Sequence, residues 1–220
     1  MQYQKITTIE ELVDLGTGIA CDLDETCSWT VYHYIDILKN KFGNPENLST
    51  LDMVEKYQYV QSVPYYRTPE INEWIEEMIH SNELQPELPL IPNIQDYIHK
   101  VNKTMPIKCY LTLRPESVVD GTREWLKQHQ FPDATVFAKP DHIDRLEGNK
   151  WKANILKQAY PTIKGIIDDN QGIIEELGKD YQGKLFLFGH KSSPNGASFV
   201  VPCQDWNKVY GEIKDIYNKS

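Results

Sequence analysis

The 220-residue chain predicts an α/β fold with a mainly parallel sheet and a helical insertion after its first strand. Two observations carry this. Short apolar runs alternate with amphipathic segments through most of the chain, the rhythm of strand–helix units. One interval, from about Cys27 to Met105, breaks that rhythm with helical periodicity and little strand signal. An apolar content of 40% and a charged content of 25% are those of an ordinary globular protein, so neither a disordered nor a membrane-embedded class is indicated.

The elements follow in order. Ile19–Leu23 is an apolar run that breaks into Asp22-Leu23-Asp24-Glu25-Thr26 and reads as a buried strand ending in a polar loop. Val31–Phe42 has helical spacing, and residues 70–79 place Ile71, Trp74, Ile75, Met78 and Ile79 on one helix face. Residues 84–93 hold three prolines and form a return linker, leading through a helix at Ile94–Val101 back to the core. The remaining strands are expected at Ile107–Leu113, Thr135–Ala138, Gly165–Ile167, Lys184–Phe188 and Ser198–Val201. Helices are expected at Ser117–His129, Asn149–Tyr160, Gln171–Leu177 and Gln204–Tyr217. Residues 1–29 and 89–220 therefore form the core, with residues 30–88 as a helical insertion too small to stand alone.

Several function classes are disfavoured. A net charge of -9 argues against a nucleic-acid polymer or an anionic membrane surface as partner. Residues 1–17 do not read as a signal peptide, and no segment has the apolar length of a membrane span. Cys21, Cys27, Cys109 and Cys203 lack CxxC spacing and read as reduced thiols, which indicates a cytoplasmic location. The six histidines show neither HxH nor HExxH spacing, so a zinc site is not expected.

Ligands of a parallel α/β sheet bind at the carboxyl ends of its strands. Four polar features fall there: Asp22-Leu23-Asp24, Thr112 with the following Leu113-Arg114-Pro115, a lysine (Lys150 or Lys152), and Asp168-Asp169-Asn170. Like charges at a strand end call for a cation, and carboxylates suit a hard one such as Mg²⁺. A hydroxyl and an ammonium would balance phosphate oxygens while one carboxylate attacks phosphorus.

This set resembles the haloacid dehalogenase-like (HAD) superfamily: DxDxT on the first strand, a Thr on the second, a lysine before a helix and a terminal acidic pair. The stretch Leu111-Thr112-Leu113-Arg114-Pro115-Glu116-Ser117, with Thr122 and Trp125-Leu126, looks most like the 5'(3')-deoxyribonucleotidase-related branch, and the insertion matches that superfamily's C1 cap. The resemblance implies a Rossmann-like HAD core acting as a Mg²⁺-dependent phosphomonoesterase. Asp22 would be the nucleophile and Asp24 the acid and base. Thr112, Lys152 and Arg114 would bind phosphate. Asp22, Asp24 (through its backbone carbonyl), Asp168 and Asp169 would hold Mg²⁺. Asp24 favours phosphate over carbon–halogen chemistry, whereas Glu25 replaces the usual glycine.

The expected substrate is a small phosphorylated metabolite, a nucleotide above all. The rivals are a sugar-phosphate phosphatase or phosphomutase on the same site, and a non-catalytic nucleotide-binding module. The insertion is rich in aromatics, including Trp29, Tyr32, Tyr34, Tyr57 and Tyr59, with Tyr65, Tyr66 and Arg67 in a Pro-led turn as the expected substrate contacts.

Overall fold

In the computed structural model, which describes residues 2–218, the apolar runs become six strands: β1 (Gly18–Cys21), β2 (Ile107–Pro115), β3 (Thr135–Lys139), β4 (Ile163–Asp168), β5 (Lys184–Phe188) and β6 (Val200–Cys203). All pair in parallel, in the order β3-β2-β1-β4-β5-β6. The chain runs outward from β1 to β3, then returns to β4 on the other side of β1. The crevice at the carboxyl ends of β1 and β4 is thus the point where strand order reverses, the usual ligand position in such sheets.

Alternation along the strands gives the sheet two apolar faces. Ile19, Cys21, Tyr110, Ile167 and Phe186 pack into one core, and Ala20, Cys109, Leu111, Ile166 and Leu185 into the other. Helices α5 (Ile94–Thr104), α6 (Val119–Gln128) and α9 (Trp206–Tyr217) cover the first face. Helices α1 (Ile9–Asp14), α7 (Gly148–Ala159) and α8 (Ile173–Leu177) cover the second. A close approach marks the middle of this sheet: a Cβ at Gly165 would overlap the backbone carbonyl of Lys184 on β5. Gly165→Ala is expected to cost about 3 kcal/mol, because backbone must shift in two paired strands. A urea midpoint unchanged from wild type would contradict that packing.

Between β1 and β2 the described elements are helical: α2 (Thr30–Phe42), α3 (Thr50–Tyr57) and α4 (Pro69–Ile79), with short 3₁₀ turns at Val60–Ser62, Pro64–Tyr66 and Gln85–Glu87. The two connections of this insertion run side by side. The Trp29 N–H donates to the Pro89 carbonyl (2.7 Å) and the Ile91 N–H to the Cys27 carbonyl (2.9 Å). Helices α1 and α3 are additions to the sequence expectation. Each starts with a capping box, Thr8 with Glu11 and Ser49 with Asp52. Among the described residues no helix is long and apolar enough to cross a membrane.

Candidate active site

The site is built where β1 and β4 end. The Asp22 N–H still donates to the Ile167 carbonyl (2.8 Å), so the sheet fixes this backbone just as the chain leaves it. Burial pushes the Asp22 carboxyl up to about 7; Lys152 opposes the shift, and Asp168 and Asp24 add to it. Asp22 is 5% exposed and Asp168 fully buried, and the Lys152 ammonium, on α7, lies 2.7 Å from Asp22 Oδ1 and 2.8 Å from Asp168 Oδ2. Of the two lysine candidates the structure thus brings Lys152 to the site. Lys150 points to Glu147 at the surface (3.0 Å).

Asp169 completes a carboxylate cluster. One oxygen from each of Asp22, Asp168 and Asp169 lies within 4.8 Å of the others. Burial first, then the neighbouring Asp168 and Asp22, push the Asp169 carboxyl up. Three acids face a single ammonium here, and the donors are all oxygens. Both facts fit a hard divalent cation, so the residues present suit Mg²⁺. Thr26 holds the cluster's edge: its hydroxyl accepts from the Asp169 N–H (3.1 Å) and donates to Asp169 Oδ1 (3.3 Å). The Thr26 carbonyl accepts in turn from the Trp206 indole on α9 (3.0 Å). Thr26 was not among the expected site residues, although the terminal Thr of DxDxT was the signal for it.

Asp24 turns away from this cluster. Its carboxylate accepts from Arg114 Nη2 (2.8 Å) and Nε (3.0 Å), from the Thr30 hydroxyl (2.6 Å) and from the Ser28 hydroxyl (3.1 Å). Burial alone would raise this carboxyl, but the Arg114 guanidinium and the two hydroxyls outweigh it and hold it below the usual carboxylate range. The Asp24 carboxylate is committed to Arg114, and the atom expected at a metal is its backbone carbonyl.

Arg114 lines the cavity above the site. The expectation was a phosphate contact, yet its Nε and Nη2 serve Asp24 and Ser28, and Nη1 donates to Thr122 (3.3 Å). With every nitrogen engaged and 5% exposure, it positions Asp24. Thr112 is fully buried, its hydroxyl accepting the Arg114 N–H (3.2 Å), and it does not line the cavity.

Glu25 stands at φ +57°, the left-handed region that favours glycine. Its Oε1 accepts the Val31 N–H (2.6 Å) near the start of α2, where Trp29 offers no side-chain cap. The residue that departs from the motif thereby ties the loop after β1 to the first helix of the insertion.

Above these groups lies a cavity of about 670 Å³, lined by both the core and the insertion. Tyr34 and Tyr59 line it, whereas Tyr65, Tyr66 and Arg67 do not. Tyr66 is buried in the insertion with its hydroxyl on the Gly43 carbonyl (2.9 Å), and Tyr65 packs edge-on against it. Arg67 donates to the carbonyls of Gln61 (2.9 Å) and Ser62 (3.2 Å). The expectation of substrate contacts here is corrected: these side chains build the insertion's own core and turn.

No family model and no curated protein matches the sequence. Among solved structures the chain is similar to a HAD family hydrolase from Deinococcus radiodurans R1, crystallised with bound phosphate and sodium. The two are 11% identical with a TM-score of 0.52, over 91% of this chain and 96% of that one. It also overlaps cytosolic 5'-nucleotidase IIIB bound to cytidine, at 15% identity and a TM-score of 0.43, over 96% of this chain and 90% of that one. The first likeness is one of fold: this chain shares its overall fold with that hydrolase.

Proposed function

We propose that this chain is a Mg²⁺-dependent phosphomonoesterase acting on a small phosphorylated metabolite, a nucleotide above all. The observation that carries the reading is the placement of Asp22. It directly follows β1 at the strand-order reversal, lines the cavity and shares one lysine with Asp168. A carboxylate oxygen of Asp22 attacks phosphorus, the bond from phosphorus to the ester oxygen breaks, and an aspartyl-phosphate forms. Water then attacks that phosphorus, and the Asp22 carboxylate leaves with its bonding electrons.

Asp24 moves the protons. Paired with Arg114 it is ionised, the form that accepts a proton from the attacking water. To donate a proton to the ester oxygen, Asp24 must first take one up from solvent, which requires it to loosen from Arg114 as substrate enters. Lys152 balances charge on the phosphate oxygens and keeps Asp22 aimed. Bound to Asp22, Asp168, Asp169 and the backbone carbonyl of Asp24, Mg²⁺ would supply further neutralisation of phosphoryl charge.

The insertion serves as the cap that closes over the site and limits water. Nucleotides are favoured because the cavity has the size for one and is lined by exposed Tyr59, on whose ring a base can stack. The four free thiols suit a reducing, cytoplasmic setting.

The test is turnover of p-nitrophenyl phosphate and a panel of 5'-nucleotides, with Mg²⁺ and after EDTA. Hydrolysis with Mg²⁺ and a loss on the order of 10³-fold in EDTA are expected. Full turnover in EDTA would remove the metal from the scheme. Nucleotide binding without hydrolysis of any ester would favour the non-catalytic reading.

A further inference from the structure

The lysines and arginines on the cavity wall are Arg114, Arg145, Lys139 and Lys152. Two are committed within the site, Arg114 to Asp24 and Lys152 to Asp22 and Asp168. Among the described residues, neither Lys139 nor Arg145 has a carboxylate within ion-pair distance.

Lys139 is the more telling of the two. It is 8% exposed and ends β3, and among the described residues its ammonium donates only to the carbonyls of Pro140 (3.2 Å) and Ile143 (2.6 Å). A buried cation ordinarily keeps a counter-ion beside it, because burial opposes the charge. Here neutral groups hold the charge at a cavity wall. The acids of the same segment, Asp141 and Asp144, also line the cavity but are engaged by other groups. Asp141 accepts from the N–H and hydroxyl of Ser117 (both 3.4 Å), and Asp144 accepts the Leu146 N–H (2.8 Å).

Arg145 is exposed and reaches the insertion. With the Gln61 amide turned so that its oxygen faces the guanidinium, that oxygen accepts from both terminal nitrogens (3.1 and 2.8 Å). A neutral amide steadies the fork without neutralising it.

The topology sets a length scale. β3 lies two strands from β1, about 10 Å at the usual spacing, with Lys139 in register beside Pro115 on β2. We infer that the substrate carries a second anionic group, phosphate or carboxylate, held by Lys139 and Arg145 while its first phosphate lies against Asp22 and Lys152. The orientation rests on the phosphomonoesterase reading above. The unpaired cations do not.

Matched substrates test it: adenosine 5'-monophosphate against adenosine 3',5'-bisphosphate, and glucose 6-phosphate against 6-phosphogluconate. The member with the extra anion in at least one pair is expected to have a kcat/KM about tenfold higher. A gain confined to the first pair identifies a phosphate, and one confined to the second a carboxylate. That preference should fall toward unity in Lys139→Met and in Arg145→Gln, and persist in the surface control Lys150→Gln. Arg145 is exposed, so its variant keeps the test open if Lys139→Met folds poorly.

Calorimetric binding of the same pairs to Asp22→Asn protein in Mg²⁺ should show the same preference without any turnover. An enzyme inactive on every ester would therefore fail the phosphatase reading alone. No preference by either measure, or a preference untouched by both variants, overturns the inference.

Discussion

Asp22→Asn is expected to lower phosphomonoester turnover on the order of 10⁴-fold or more, the scale seen when a covalent nucleophile is removed. The amide keeps the volume of the side chain and can still accept from Lys152, so the fold should survive. Stability adds a second readout. Asp22 is buried beside Asp168 and Asp169 with one lysine among them, and burial together with the other acids opposes its charge. Without metal, the amide should therefore match or exceed wild-type stability, by on the order of 1 kcal/mol. Mg²⁺ should stabilise the wild type more than the variant, since one ligand is lost. Wild-type turnover of p-nitrophenyl phosphate by Asp22→Asn would end the aspartyl-phosphate mechanism.

Lys152→Met is expected to be the most damaging substitution for stability, at about 3–5 kcal/mol in metal-free protein. Its side chain is 3% exposed and is the only cation paired with Asp22 and Asp168 among the described residues. Those two carboxylates hold the ammonium protonated against the effect of its own burial, which by itself would lower its pKa. Removing the charge leaves buried carboxylates facing one another, a cost that a methionine of similar length cannot offset. Mg²⁺ should recover part of the loss, because a cation in the carboxylate cluster replaces some of the missing charge. Turnover should fall along with stability, and urea denaturation with and without Mg²⁺ separates the two effects. A Lys152→Met protein with wild-type stability in EDTA would show that the buried ion pairs are not what holds the β1 and β4 ends together.

Much of the fold was legible because its signals are local. Period-two and period-3.6 apolar patterns marked the six strands and most helices within a few residues, since they record which side of each element meets the core. α1 and α3 escaped although each is longer than α8, which was found. Their capping boxes, Thr8-x-x-Glu11 and Ser49-x-x-Asp52, were the readable sign. Lys152 was separable from Lys150 by its place on the face of α7 that carries Ile155 and Leu156.

The sequence by itself determined the parallel α/β architecture and the set of acids at the ends of β1 and β4, because strand ends and buried runs are written in neighbouring residues. Only the tertiary structure decided what the remaining polar side chains do. Arg114 meets Asp24 from 90 residues away, and Lys152 meets Asp22 from 130. Each long side chain can reach either substrate or protein, and the nearest opposite charge settles which. Tyr65 and Tyr66 likewise packed within the insertion, and exposed Arg67 bonded to carbonyls of its own turn, because the insertion supplied partners for them. The same geometry gave Lys139 two backbone carbonyls but, among the described residues, no carboxylate, on the wall of the cavity.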